Sequence, residues 1–339
     1  MGGWLALSQH DPPPPGGGAT RAGLMTRGAL VLELAVPLRG AQVLLDYHAA
    51  TNGWERTFSI LHDTERGLTI RHRQGPAVAI CRLEGRLPAE PGIAQITLAF
   101  DIHRESWSLS YMRPGSGSSV TASGTAPLAL PLEDLDRICA LTPEVRRHDA
   151  LLWFGATTHD AAPRAASWVH HQTAIATPSG LRQAGSLNPG ETVLLHDGTA
   201  RRLQSVRRCD LPGRGSHTPV RLRAPYIVPG RDHLVSADLP ILMTGGDIED
   251  LFDEEEVLVA AQHLTDGLAA LFDTGHMVLR TISLDIGAPD LVQGDGMAFL
   301  SASHAGAPAT PPPLRQLRGF EAMPLLAALN RNGMSWRAA

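Results

Sequence analysis

The chain has 339 residues with 29 basic and 34 acidic side chains, a formal net charge of −5, and 43% apolar residues. Two domains fit that length, the apolar fraction supplies their cores, and the absence of a basic field excludes nucleic acid as an expected partner. Every basic side chain is Arg, and the cysteines are Cys81, Cys139 and Cys209, an odd number that makes no disulfide framework.

Residues 1–24 are expected to be disordered, on the Pro12–Pro15 and Gly16–Gly18 runs. The start lacks the basic residues and long apolar core of a signal peptide. No stretch is apolar for long enough to span a membrane. A soluble protein is therefore expected, its compartment left open between cytoplasm and leaderless export.

Residues 25–156 are dense in short strand patterns: Leu30–Val36, Gln42–Asp46, Thr57–Leu61, Leu68–Arg71, Val78–Cys81, Ala94–Asp101 and Ser106–Tyr111. Asn52-Gly53, Arg66-Gly67 and Gly75-Pro76 punctuate them as turns. Regular spacing with turn signals argues a β-sandwich or barrel. Gly115–Ser119 reads as a flexible loop, Pro131–Cys139 as a short helix with an acidic first turn, and Leu151–Gly155 as a closing strand. The segment from Ile96 through Trp107 resembles the paired strands of laminin-G/concanavalin-A-like sandwiches. That resemblance implies a possible sugar ligand. Asp46, Asn52, Asp63 and Asp101 are too scattered to converge on a calcium ion.

Residues 157–168 read as a linker, 169–304 as the second domain, and 305–339 as a Pro-rich linker and tail. In the tail, Leu314, Leu317 and Phe320 are spaced for one face, and Pro324 is expected to interrupt any helix. Three blocks carry the second domain: Ile175–Gly198; Pro219–Ala224 with Arg231–Leu239; and Glu256–Leu264. In order and spacing they resemble the bacterial branch of the Hint (hedgehog/intein) family. The expected fold is thus all-β, an N-terminal sandwich followed by a Hint-like β-horseshoe.

The resemblance implies self-cleavage chemistry. A Cys or Ser opens the domain and attacks the carbonyl of the preceding peptide bond, and a His three residues after a Thr or Ser protonates the leaving nitrogen. Here Gln172-Thr173 stands where the family has Gly-Thr, and five residues before Thr173 comes Trp168. Three residues after Ser236 comes Leu239. An indole is no nucleophile and a Leu transfers no proton. Ser167 is the substitute nucleophile, one residue out of register. Trp168 and Leu239, or their immediate neighbours, are expected to pack together and fill the old site. Inteins end in His-Asn before a Cys, Ser or Thr, and neither Asn330 nor Asn332 follows a His.

Other groups read more plainly. Adjacent strand residues such as His170 and His171 point to opposite faces and make a poor ion site. The acidic run Asp247–Glu256 reads as a solvated turn, His263 as a hydrogen-bonded core residue, and His196-Asp197-Gly198 as a turn. No cofactor or metal is expected, and the partner is unknown, with a protein or a sugar as the candidates. Three functions follow from these readings: a binding or structural module with a degenerate Hint domain, a protein that cleaves itself near residue 167, or a carbohydrate binder acting through the sandwich.

Overall fold

A computed structural model describes residues 3–8, 21–88, 90–114, 119–163, 167–302 and 311–331. The chain forms two compact units, Met1–Pro163 with Arg214–Ser216, and Arg164–Gly213 with His217–Ala339. Pro12–Pro15, Gly16–Gly18, most of Gly115–Ser119 and most of Ala307–Pro313 lie outside the described residues.

The first unit holds thirteen strands and one helix among its described residues. They are β1 (Trp4–Leu7), β2 (Leu24–Met25), β3 (Arg27–Val36), β4 (Gln42–Thr51), β5 (Trp54–Asp63), β6 (Gly67–Gln74) and β7 (Ala77–Glu84), then β8 (Gly92–Asp101), β9 (Ser106–Met112), β10 (Ser119–Thr125), β11 (Leu130–Pro131), α1 (Leu132–Ala140), β12 (Val145–Arg147) and β13 (Leu151–Thr157). Two sheets, in order β1-β13-β3-β8-β9-β10 and β12-β4-β5-β6-β7, enclose one core. Leu30, Leu32, Ile96, Leu98 and Leu109 from the first sheet meet Leu45, Tyr47, Phe58, Ile60 and Ile70 from the second.

Period-2 patterning dictates which side chains enter that core. In β8, Ala94, Ile96, Leu98 and Phe100 are buried while the residues between them are not. β3 departs from alternation because its other face is covered too, with Ala29 and Val31 under Trp153. Asn52 and Gly53, with φ of 51° and 78°, form a two-residue hairpin between β4 and β5 whose handedness matches strand twist. Leu151–Gly155 is part of β13, which pairs with β3.

Helix α1 enters with Glu133 and Asp134 in its first turn, where carboxylates favour the dipole. Asp134 is 1% exposed. Its carboxylate accepts the Tyr47 hydroxyl at 2.6 Å and pairs with Arg56 at 3.0 Å. A buried carboxylate is tolerated because it is both paired and hydrogen-bonded. The expectation of disorder across 1–24 fails at Trp4–Leu7, which pairs with β13. A strand partner some 150 positions away leaves no local trace in the sequence.

The second unit contains β14 (Val169–His170), β15 (Ala174–Thr177), β16 (Gly180–Gln183), β17 (Thr192–Leu194), β18 (Ala200–Arg202), β19 (Ser205–Pro212), β20 (Val220–Leu222), β21 (His233–Val235) and β22 (Pro240–Thr244). Then follow α2 (Gly246–Phe252), β23 (Glu256–Ala260), β24 (Ala270–Phe272), β25 (Val278–Asp285), β26 (Leu291–Gln293), β27 (Ala298–Leu300), β28 (Gln316–Leu317) and α3 (Gly319–Arg331). Its larger sheets run β19-β25-β14-β21-β20-β24 and β26-β27-β22-β23-β28. Both contribute to a core that includes Val169, Val235, Leu239, Ile241, Val259 and Ile282.

The segment read as a separate tail belongs to this core. β28 pairs in parallel with β23, and Leu317, Ala322 and Leu325 are buried in the same cluster. Helix α3 also runs through Pro324 rather than breaking there. The missing Pro324 N–H would have served the Phe320 carbonyl, on a residue 67% exposed, where water can take its place. The start is fixed independently: the Glu321 carboxylate accepts the Arg318 N–H at 2.8 Å, half of a capping box.

Candidate active site

The site is built where β14 lies between β21 and β25. Val169 pairs with Val235 on one side and Ile282 on the other, so its side chain goes into the main core. By strand alternation the preceding Trp168 faces the opposite way. Trp168 is 4% exposed and clusters with Leu211 and Leu279, against Cys209 and Leu234. Leu239 is 1% exposed and belongs to the other cluster, with Val169.

Trp168 and Leu239 themselves are buried in separate apolar clusters, but Val169, the immediate neighbour of Trp168, shares its cluster with Leu239, so the expected packing is made by the neighbour and not by the indole. Polar contacts join the two stretches as well. The Trp168 N–H donates to Ser236 Oγ at 3.0 Å, and the Ser236 N–H donates to the Trp168 carbonyl at 2.9 Å. The Leu239 N–H then closes a turn on the Ser236 carbonyl at 3.1 Å. Ser236 therefore holds the backbone nitrogen of Trp168.

Ser167 lies beside this exchange. Its hydroxyl donates to Asp238 Oδ2 at 3.3 Å. Asp238 was not singled out from the sequence, although it sits inside the Ser236-Ala-Asp-Leu239 block. Cys209 was also set aside, yet the β19–β25–β14 register puts it in line with Thr281 and His170. Burial first, then Asp210, pushes its thiol up to about 11, so it carries no thiolate near neutral pH.

The two histidines after Trp168 do not point apart as expected. Their rings are 4.2 Å apart between centroids, with His171 Nδ1 3.1 Å from His170 Nε2. β14 ends at His170, so strand alternation no longer governs His171. Burial, then the His171 and His276 charges, lowers the His170 ring to about 4. Thr173, 3% exposed, donates its N–H to the His170 carbonyl at 2.9 Å.

The remaining histidines serve elsewhere. His263 lies so close to Gly319 that a Cβ there would sit 2.9 Å from its ring. His196 lies between Gln293 at 3.3 Å and Glu256 at 3.2 Å. His233, unremarked in the sequence, is 2% exposed and meets the Asp295 carbonyl at 3.0 Å. Among the described residues no group of three or more His, Cys, Asp or Glu side chains is arranged to hold a metal ion. No helix among them is long and apolar enough to cross a membrane.

Residues 169–304 match the family model of the Hint domain. The second unit is thus a Hint-like domain, preceded by a β-sandwich. Two solved structures are similar to parts of the chain. The MchDnaB-1 intein is 17% identical, over 39% of this chain and 98% of that one, with a TM-score of 0.25. The Ruminococcus gnavus IT-sialidase CBM40 bound to alpha2,6 sialyllactose is 13% identical, over 48% of this chain and 92% of that one, with a TM-score of 0.29. No curated protein matches the chain.

Proposed function

We propose that this is a Hint-domain protein that no longer cleaves itself and serves as a binding or structural module, its ligand taken by the sandwich. The observation that carries the reading is the pairing of Trp168 with Ser236. The amide nitrogen at the old junction is held in place, but an indole stands where the attacking group belongs and a buried Leu239 where the proton donor belongs. Each such group typically contributes about 10²–10⁴ in rate, and groups acting as a unit are not additive. The purified chain of 36.2 kDa should stay at full mass for days with dithiothreitol or hydroxylamine. Self-cleavage through Ser167, with Asp238 accepting its proton, is the competing reading, and the hydrogen bond between them favours it. A fragment starting at Ser167 or Trp168 that vanishes in both Ser167→Ala and Asp238→Asn would establish it instead.

A carbohydrate is the ligand class the sandwich surface fits. Two cross-strand rows, Arg27–Asp101–Ser106 and Ala99–Ser108–Ser123, lie side by side over β3, β8, β9 and β10. Paired residues share a face, so the small side chains leave a trough of about 380 Å³, edged by Arg27, Arg104 and Asp160. Hydroxyls both donate and accept, which suits a neutral polyol, the Arg27 and Arg104 guanidiniums being already paired with Asp101 and Asp160. Glycan-array binding that is lost in Arg27→Ala and in Ser108→Phe is the expected outcome. An array with no hits from folded protein would remove this part of the proposal.

A further inference from the structure

We infer that the sandwich holds a second, internal site, for a small carboxylate with a compact apolar body. It lies between the sheets where β3 ends and β8 begins, in a cavity of about 140 Å³. Leu34, Val36, Leu68, Leu87 and Ile96 form apolar walls, and His62, Thr64, Arg86 and Tyr111 supply the polar groups. Protein interiors seldom leave voids larger than a water. A dry apolar cavity of roughly 150 Å³ is known to accept a benzene-sized guest, so the space here matches one ring or about six carbons.

Two features indicate a ligand rather than loose packing. The Thr64 hydroxyl is buried and has no hydrogen-bond partner among the described residues, a state a guest oxygen would relieve. The wall formed by the β7–β8 connection is fixed in advance. The Tyr111 hydroxyl donates to the Pro88 carbonyl at 2.7 Å, and Arg113 donates to the Pro91 carbonyl at 2.9 Å. A preformed cavity with a few placed polar groups has the form of a small-molecule site.

The polar set selects the charge. His62 reaches the Gly40 carbonyl at 3.3 Å through Nδ1, which makes that nitrogen a donor. Thr64 has a hydrogen to give, and Arg86, exposed at the rim, supplies a permanent cation. The cavity-lining residues include no carboxylate. A carboxylate with its oxygens toward Thr64 and Arg86 and its ring or chain among the leucines satisfies those two groups, while the His62 Nδ1–H and the Tyr111 hydroxyl stay donated to Gly40 and Pro88.

The test is titration of the intact protein with sodium benzoate and sodium hexanoate, followed by calorimetry and by saturation-transfer NMR. Saturable one-site binding is expected. Thr64→Val keeps the shape and removes the donor, and Arg86→Ala removes the cation; each should weaken binding about tenfold, the scale of one charge-assisted hydrogen bond. Leu87→Trp fills the space and should abolish it, with circular dichroism confirming that the variant is folded. Failure of both probes to bind at millimolar concentration would overturn the proposal. Unchanged affinity in Thr64→Val and Arg86→Ala would overturn it too, as would binding of benzene in preference to benzoate.

Discussion

In the proposed function Trp168 and Leu239 stand in place of the nucleophile and the proton donor, and each is held by apolar neighbours. Removing the indole from its contacts with Leu211 and Leu279 should cost about 3–5 kcal/mol, the usual range for a buried Trp→Ala change. Leu239→His places an imidazole among Val169, Ile241 and Val259. The loss of apolar burial and the unpaired ring nitrogens together should cost about 2–4 kcal/mol. Neither variant should generate fragments, since returning a proton donor supplies no attacking group. Urea unfolding of the two variants, read beside their intact masses, checks both statements. A Leu239→His protein as stable as the parent, or one that splits near residue 167, would mean that the site is still organised for cleavage.

At the level of elements, legibility followed contact range. Strands such as β8 and β9 could be read because alternation and bounding turns lie within ten residues of one another. Asn52-Gly53 announced its hairpin for the same reason. β1 could not be read, because its pairing energy comes from β13 and its flanks are rich in Gly and Pro. β28 and α3 were separated from the second domain because a Pro-rich stretch precedes them and Pro324 reads as a helix breaker, yet the helix continues through it and Leu317 and Leu325 complete that domain's core. Of the residues around the candidate site, Leu234, Ser236 and Leu239 lie in a Hint-like block, whereas Leu211, Cys209 and Leu279 come from β19 and β25, outside all three blocks. The direction of Trp168 was not legible. It depends on Val169 being claimed by the core from both neighbouring strands, which only the register reveals. Asp238 went unnoticed, and the place of Cys209 beside Trp168 was not legible, because both proximities are set across strands, not along the chain.

For the molecule as a whole, buried histidines make acid the sensitive direction. His72 is 8% exposed, and burial lowers its pKa to about 4. The Gln74 amide donates to its Nε2 at 2.9 Å, so a proton arriving there meets a donor rather than an acceptor. In the unfolded chain a His titrates near pH 6.5. Between about 6.5 and 4 the unfolded chain therefore binds more protons than the folded one, and stability rises with pH across that window. The contribution is fully present above 6.5 and is lost on acidification, up to about 3 kcal/mol for His72 alone. His170, also lowered to about 4, acts in the same direction but is less buried and counts for less. Carboxylates act in a different window. Backbone hydrogen bonds hold Asp63 and Glu321 below their usual range, so their share is lost only as pH falls below about 4. The melting temperature should thus be level from pH 8 to 7, fall from 6.5 to 4, and fall further below that. In His72→Leu the middle decline should flatten while the lowest one persists. A parent protein with the same melting temperature at pH 7 and pH 4.5, or a variant that keeps the full middle slope, would show that His72 is not the group that confers acid sensitivity.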